Sequence, residues 1–202
     1  MTLPRGPIRQ LPDDYSEVKY LVLTDQRNLI RLNLLALVPL ILAVIGVVVW
    51  GRLVEPLRAG LPTTGVTVPW WLGVIGVLVV VFPLHELLHG VAIRWFGHAA
   101  RYGAKLSQGV LYATADGAYF RRAEYLAVAL TPLVVITLLG MALMALGPDW
   151  ITGYAALAVI INASGAIGDI WMALELLRYP ARVLVRDESV GFRIFDQVSE
   201  VG

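Results

Sequence analysis

Four long apolar stretches constrain the fold of this chain more than any other feature of its sequence. They run approximately over residues 33–50, 68–96, 125–146 and 150–177. Because a helix rises about 1.5 Å per residue, each stretch can cross a hydrocarbon layer of about 30 Å. Hydrophobic residues make up 58% of the chain, charged residues 15%, and the mean hydropathy is +0.72. The sequence therefore predicts an all-α membrane protein, a single membrane domain over residues 1–202 with four transmembrane helices.

The distribution of Lys and Arg predicts how these helices are oriented. Most of the positive charges precede the first stretch, lie between the second and third, or follow the fourth. These are Arg5, Arg9, Lys19, Arg27, Arg31, then Arg94, Arg101, Lys105, Arg121, Arg122, then Arg178, Arg182, Arg186 and Arg193. Only Arg52 and Arg58 fall on the other side. The positive-inside rule then places both termini and the 97–124 loop in the cytoplasm of a multi-pass cell-membrane protein. The residues before the first stretch lack the pattern of a signal peptide, so we expect that stretch to stay as an uncleaved anchor.

The second stretch carries the motif His85-Glu86-Leu87-Leu88-His89, which has the form H-E-x-x-H. On a helix, two histidines four residues apart lie on one face, so both imidazoles can reach one Zn²⁺. Glu86 lies beside them, where a carboxylate can take a proton from the attacking water. Ionisable residues at membrane depth are costly unless they have a function. The motif therefore predicts a membrane-embedded zinc hydrolase with Glu86 as its catalytic residue.

A zinc hydrolase needs a third protein ligand, and the chain has no cysteine to supply one. Asp169 is the best candidate, since it lies about as far from the cytoplasmic end of its stretch as His89 does from the end of its own. Gly165 and Gly168 would let this stretch approach another helix closely. A polar cap or an interhelical hydrogen bond is the alternative role for Asp169.

Other polar residues are weaker candidates for the site. Asn162 can hydrogen-bond a substrate, hydrogen-bond a metal ligand or join two helices. His98, just past Gly97, is expected to cap a helix end rather than bind metal. Glu124 and Glu175 are expected to pair with neighbouring arginines, Arg121 or Arg122 and Arg178. Pro83, two residues before His85, can kink the helix and free a carbonyl near the site.

The loop between the second and third stretches contains short β-prone segments. They are Tyr102 to Leu106, Gly109 to Thr114 and Ala118 to Phe120, separated by turn residues that include Asp116-Gly117. An Asp-Gly pair is a strong hairpin signal. The loop therefore predicts a small cytoplasmic hairpin or sheet, whose edge can hold an extended substrate or only brace the helices.

Several motifs together resemble a prokaryotic family of membrane proteins described as zincin peptidases. They are Pro12 to Tyr15, Asn33-Leu34-Leu35, His85 to Gly90, Tyr102-Gly103, Tyr112-Ala113, Tyr125 to Pro132, Asn162 to Asp169 and Tyr179-Pro180. More distantly, the layout is similar to the site-2 protease family of intramembrane metalloproteases. That resemblance implies His85, His89 and Asp169 as zinc ligands and Glu86 as the catalytic residue. The chain departs from the family in having Ile170 where an Asp-Gly pair would require glycine, and in lacking a recognisable PDZ-like insertion.

The predicted function is a zinc metalloprotease that hydrolyses peptide bonds near the cytoplasmic face. Its cofactor would be Zn²⁺, and its partners a lipid bilayer and a protein or peptide substrate, with no nucleic acid. A non-catalytic zinc-binding or metal-sensing membrane protein is the second interpretation, since it needs the same ligands but gives Glu86 no special task. A transporter is disfavoured because the chain shows neither repeated halves nor paired broken helices.

Overall fold

The computed structural model describes residues 6–22, 26–61, 65–105, 110–115, 117–188 and 191–198. Six helices occupy most of this part of the chain. They are α1 (Gln26–Leu35), α2 (Leu37–Arg58), α3 (Trp70–Trp95), α4 (Arg122–Leu146), α5 (Asp149–Gly165) and α6 (Ile167–Leu176). Six short strands accompany them. They are β1 (Tyr15–Val22), β2 (Arg101–Lys105), β3 (Val110–Thr114), β4 (Tyr119–Arg121), β5 (Leu184–Glu188) and β6 (Gly191–Gln197).

Three helical segments of the described chain are long and apolar enough to cross a membrane. They are Asn28–Arg58, which joins most of α1 to α2, together with α3 and α4. The fourth predicted span is instead a pair of helices, α5 and α6, bent by 47° at a short break. If the pair is one span, the number of spans is four, as the hydropathy pattern predicts. Helix α3 continues unbroken through Pro83.

The strands form two antiparallel sheets rather than one small hairpin. Strands β2 and β3 pair with each other, which confirms the predicted hairpin. A second sheet has the order β1-β6-β5-β4. The Asp-Gly signal was misleading, because β4 pairs with β5 in the second sheet and the chain at Gly117 joins strands of two different sheets. The predicted turn at 107–109 and Asp116 itself lie outside the described residues. An all-α description is therefore too narrow, and the chain is mostly helical with small antiparallel sheets.

The chain divides into two compact units. The first contains residues 1–31, 86–131 and 168–202, and the second contains 32–85 and 132–167. In the first unit, the four-stranded sheet packs its apolar face on the C-terminal part of α3, with Ile93, Phe120, Leu176 and Phe192 almost fully buried in one cluster. This core packs on the C-terminal end of α3. The single-domain assignment stays a prediction.

The second unit is built from α2, α5 and parts of α3 and α4. Glycines allow two close contacts there, since a Cβ at Gly140 would overlap Val159 and one at Gly73 would overlap the Tyr154 ring. The predicted close approach at Gly165 and Gly168 is wrong, because a Cβ at either position would meet nothing within 4 Å. Gly165 instead ends α5 at the break before α6.

Candidate metal centre

The C-terminal half of α3 carries the H-E-x-x-H motif, as the sequence predicts. His85 and His89 are one turn apart on this helix, so their side chains share a face, and Glu86 follows His85 directly. His89 is buried, whereas His85 and Glu86 are partly exposed. The helix end is fixed by Gly97, whose φ of 82° lets the chain turn back so that His98 N–H reaches the Ile93 carbonyl at 3.2 Å.

His89 faces Asp169, which lies in the first turn of α6. The His89 Nε2 atom is 3.5 Å from the Asp169 Oδ1 atom, and the two side chains are only 11% and 13% exposed. Two atoms that bind one tetrahedral Zn²⁺ at 2.0–2.2 Å stand about 3.4 Å apart. The gap between these atoms is therefore compatible with a shared zinc ion, and it is also that of the direct interhelical contact given above as the alternative role of Asp169.

A backbone carbonyl orients the imidazole of His89. Its Nδ1 atom lies 2.9 Å from the carbonyl oxygen of Val128 in α4. A carbonyl oxygen can only accept a hydrogen bond, so Nδ1 carries the proton and donates it. In the neutral ring Nε2 is then the nitrogen with a lone pair, and this is the atom that faces Asp169.

His85 is held in the same way by Asn162. Its Nδ1 atom lies 2.9 Å from the Asn162 Oδ1 atom, while the Asn162 amide nitrogen donates to the Pro132 carbonyl at 3.3 Å. Because the Pro132 carbonyl can only accept, the amide must present its oxygen to His85, and Nδ1 of His85 must donate. Asn162 is 2% exposed, so this arrangement is shielded from water. Two of the roles predicted for Asn162 are observed, since it contacts a candidate metal ligand and its hydrogen bonds join α5 to α3 and α4.

His85, His89 and Asp169 together can hold a metal ion. Each offers one ligand atom, and these atoms lie within 4.8 Å of one another. Two imidazoles and a carboxylate match the donor preferences of Zn²⁺, and three protein ligands leave a fourth position for water. The outer hydrogen bonds of both histidines are also of the kind that metal-binding imidazoles make. The residues therefore fit zinc.

His98 stands apart from this group. Its ring packs against Phe120 with centroids 4.5 Å apart, and it is 7% exposed. Burial lowers the pKa of this imidazole, although the charge of Glu124 acts in the opposite direction. The backbone of His98, rather than its side chain, caps α3. Glu124 and Glu175 pair with Arg121 at 2.6 Å and Arg178 at 3.0 Å, as predicted.

A second buried carboxylate was missed by the sequence analysis. Asp187 in β5 accepts hydrogen bonds from Tyr125 at 3.0 Å and from the Thr114 hydroxyl. Burial raises the pKa of Asp187 to about 6, although those hydrogen bonds and the charge of His89 act to lower it. Only its position in an Arg-Asp-Glu run was visible in the sequence, and such runs are usually solvated.

The β2–β3 hairpin packs on the part of α3 that carries the motif. A Cβ at Gly90, the residue after His89, would overlap the Tyr102 ring, and the Arg94 guanidinium lies 5.4 Å from the centroid of the same ring. Glycine is therefore needed directly after the motif to admit this aromatic ring. The hairpin is anchored beside the candidate metal ligands.

Residues 78–184 match the model of a protein family described as "Putative zincin peptidase". This segment includes all three candidate ligands, Glu86 and Asn162. No curated protein and no solved structure matches the chain.

Proposed function

Since the chain belongs to this family of zincin peptidases, we propose that it is a zinc metalloprotease whose active site is the His85, His89 and Asp169 centre. The observation that carries the proposal is the 3.5 Å gap between His89 Nε2 and Asp169 Oδ1. A carboxylate and an imidazole, brought together from two helices and shielded from water, are both ligand types that Zn²⁺ prefers. His85 adds the third ligand from the next turn of α3.

Glu86 is the proposed general base. When bound, zinc lowers the pKa of a water molecule toward about 7 and polarises the scissile carbonyl. Glu86 accepts the proton of the attacking water and delivers it to the leaving amine. On a helix its side chain points about 100° away from that of His85, so it is placed to contact the water rather than to bind the same ion.

The remaining site residues hold the ligands rather than react. Val128 and Asn162 keep the Nδ1 atoms of the two histidines occupied, which leaves ligation to Nε2. The low exposure of His89 and Asp169 restricts bulk water near the reacting atoms.

The proposed setting is the cytoplasmic side of a cell membrane. His89 is six residues before the end of α3, about 9 Å along the helix axis. The end of α3 leads into the arginine-rich segment that the positive-inside rule places in the cytoplasm. The substrate would be a membrane protein or an unfolded peptide segment that reaches this depth.

Zinc content and peptide cleavage, measured on the same purified samples, test this function. Glu86→Gln keeps the shape of the side chain and removes its basicity, so it should retain zinc and lose nearly all turnover. His85→Ala should lose both. Equal cleavage by wild type and Glu86→Gln would exclude the mechanism. Retention of zinc without any cleavage, and an unchanged cellular phenotype for Glu86→Gln, would favour the non-catalytic zinc-binding alternative.

A further inference from the structure

Pro132 lies within α4 and is fully buried. Proline has no backbone N–H, so the carbonyl four residues earlier in a helix loses its usual donor. In α4 that carbonyl belongs to Val128. The proline ring also needs room beside the same carbonyl, which turns it away from the regular helical hydrogen-bond ladder.

The carbonyl released by Pro132 is the one that His89 uses. Its oxygen accepts the hydrogen bond from His89 Nδ1 at 2.9 Å. A buried carbonyl and a buried imidazole N–H would each be costly without a partner. Because Pro132 has no N–H, the Val128 carbonyl is left to accept from His89 and so to orient its imidazole.

The carbonyl of Pro132 itself supports the other histidine. It accepts from the Asn162 amide at 3.3 Å, and the oxygen of that amide accepts from His85 Nδ1 at 2.9 Å. If the amide were reversed, its NH₂ group would face His85 and its oxygen would face another oxygen. The backbone carbonyl at position 132 thus determines which way the Asn162 side chain points.

We propose that Pro132 is a positioning residue for the metal centre, which keeps both histidines protonated on Nδ1 so that both present Nε2 to the metal. The missing N–H at position 132 acts on His89 through Val128, and the carbonyl at position 132 acts on His85 through Asn162. This inference rests on the metal-binding part of the proposed function and does not depend on peptide cleavage.

The other described prolines that lie beyond the first turn of a helix differ from Pro132 in their surroundings. Pro56 in α2 and Pro83 in α3 are both exposed, as is common for prolines that only bend a membrane helix. Pro132 is buried. His89 contacts the Val128 carbonyl, which lacks a donor because of this proline, and Asn162 contacts the carbonyl of Pro132 itself. Pro56 therefore provides a matched control for a general effect of helical proline.

The test compares Pro132→Ala with Pro56→Ala in the full-length protein. An alanine at position 132 donates its N–H to Val128 and competes with His89 for the same oxygen. The expected result is zinc affinity that falls about 10–100-fold, the usual effect of losing an outer partner of a metal ligand, with no loss of thermal stability in the metal-free protein. The visible absorption of the Co²⁺-loaded protein, which reports ligand geometry, should change as well. Pro56→Ala should alter neither affinity nor spectrum.

A second variant tests the contact with His85. Asn162→Leu removes both hydrogen bonds at nearly constant volume and should also lower zinc affinity about 10–100-fold, even if Pro132→Ala does not fold. Wild-type affinity and spectrum in Pro132→Ala would overturn the inference and leave the metal site intact, as would equal losses in Pro132→Ala and Pro56→Ala. A wild-type protein that binds no zinc would overturn the metal site and the inference together.

Discussion

The Nε2 atom of His89 lies 3.5 Å from Asp169 Oδ1, although the two residues belong to helices at opposite ends of the family segment. The pair joins the motif helix α3 to α6, the shorter half of the bent helix pair. Asp169 lies in the first turn of α6, directly after the break that ends α5. The broken helix is therefore part of how the centre is built.

Asp169→Ala is expected to lower zinc affinity by a factor on the order of 100 or more, because one of three protein ligands is removed. Chelator competition on detergent-solubilised protein measures the affinity. His98→Ala is the matched control, since His98 is buried against Phe120 and is expected to leave zinc binding unchanged. Undiminished zinc in Asp169→Ala, with loss in His98→Ala, would transfer the ligand role to His98.

Gly140→Ala is expected to destabilise the protein by about 1–3 kcal/mol through overpacking, because its Cβ would overlap Val159 and approach the Ala155 carbonyl oxygen at 3.3 Å. Gly46→Ala in α2 is the control, since nothing lies within 4 Å of a Cβ there. That substitution should be neutral or stabilising by up to about 1 kcal/mol. Thermal unfolding in one detergent compares the two, and equal midpoints would refute the close packing of α4 on α5.

Asp187 should make stability depend on pH between about 4 and 6. Burial raises the pKa of this carboxyl from 3.8 to about 6, so the folded protein binds the proton more tightly than the unfolded chain does. The contribution of Asp187 to the free energy of unfolding is therefore present below the unfolded pKa and falls by up to about 3 kcal/mol as pH rises through 6.

Asp187→Asn should remove this pH dependence. The unfolding midpoint of chelator-treated wild type should fall relative to the variant by roughly 5–10 °C between pH 4 and pH 7. Asp13→Asn, at an exposed position, controls for the change of net charge. Parallel pH profiles of wild type and Asp187→Asn would show that this carboxyl has no such role.

Single cysteines test the topology, since the chain has no native cysteine. Gly60 follows α2 beside Arg58, and Val198 follows β6 and is 56% exposed. An impermeant thiol reagent should label Gly60→Cys from outside intact cells and Val198→Cys only after the membrane is opened. Labelling of both from the same side would contradict the proposed orientation.

The sequence predicted the candidate ligands better than the contacts that support them. The motif spacing identifies His85, Glu86 and His89, and the matching depth of Asp169 identifies the carboxylate that contacts His89. The link from Pro132 to Val128 was missed, because prolines are ordinary in membrane helices. Only the packing of α3 against α4 shows which side chain uses the released carbonyl.

The four-stranded sheet was missed for a related reason. Strand β6 pairs with β1, which is far away in sequence. The local pattern of residues in a strand does not predict a partner at such a distance. The segments at 15–22 and 184–197 are short and rich in charge, so they resemble solvated tails. The hairpin β2–β3 was predicted because its two strands are close in sequence. Strand β4 was assigned to the wrong sheet because its partner, β5, is far away in sequence.

The pairing of β1 with β6 also determines when the four-stranded sheet can form during synthesis. During synthesis at about 5–20 residues per second, β1 leaves the ribosome early, and its partner β6 emerges only after the six described helices have been made. The core that holds Ala92 and Ile93 of α3 includes Phe192 and Ile194 of β6, so it closes last. A nascent chain therefore carries all three candidate ligands before it has the complete sheet that packs on α3.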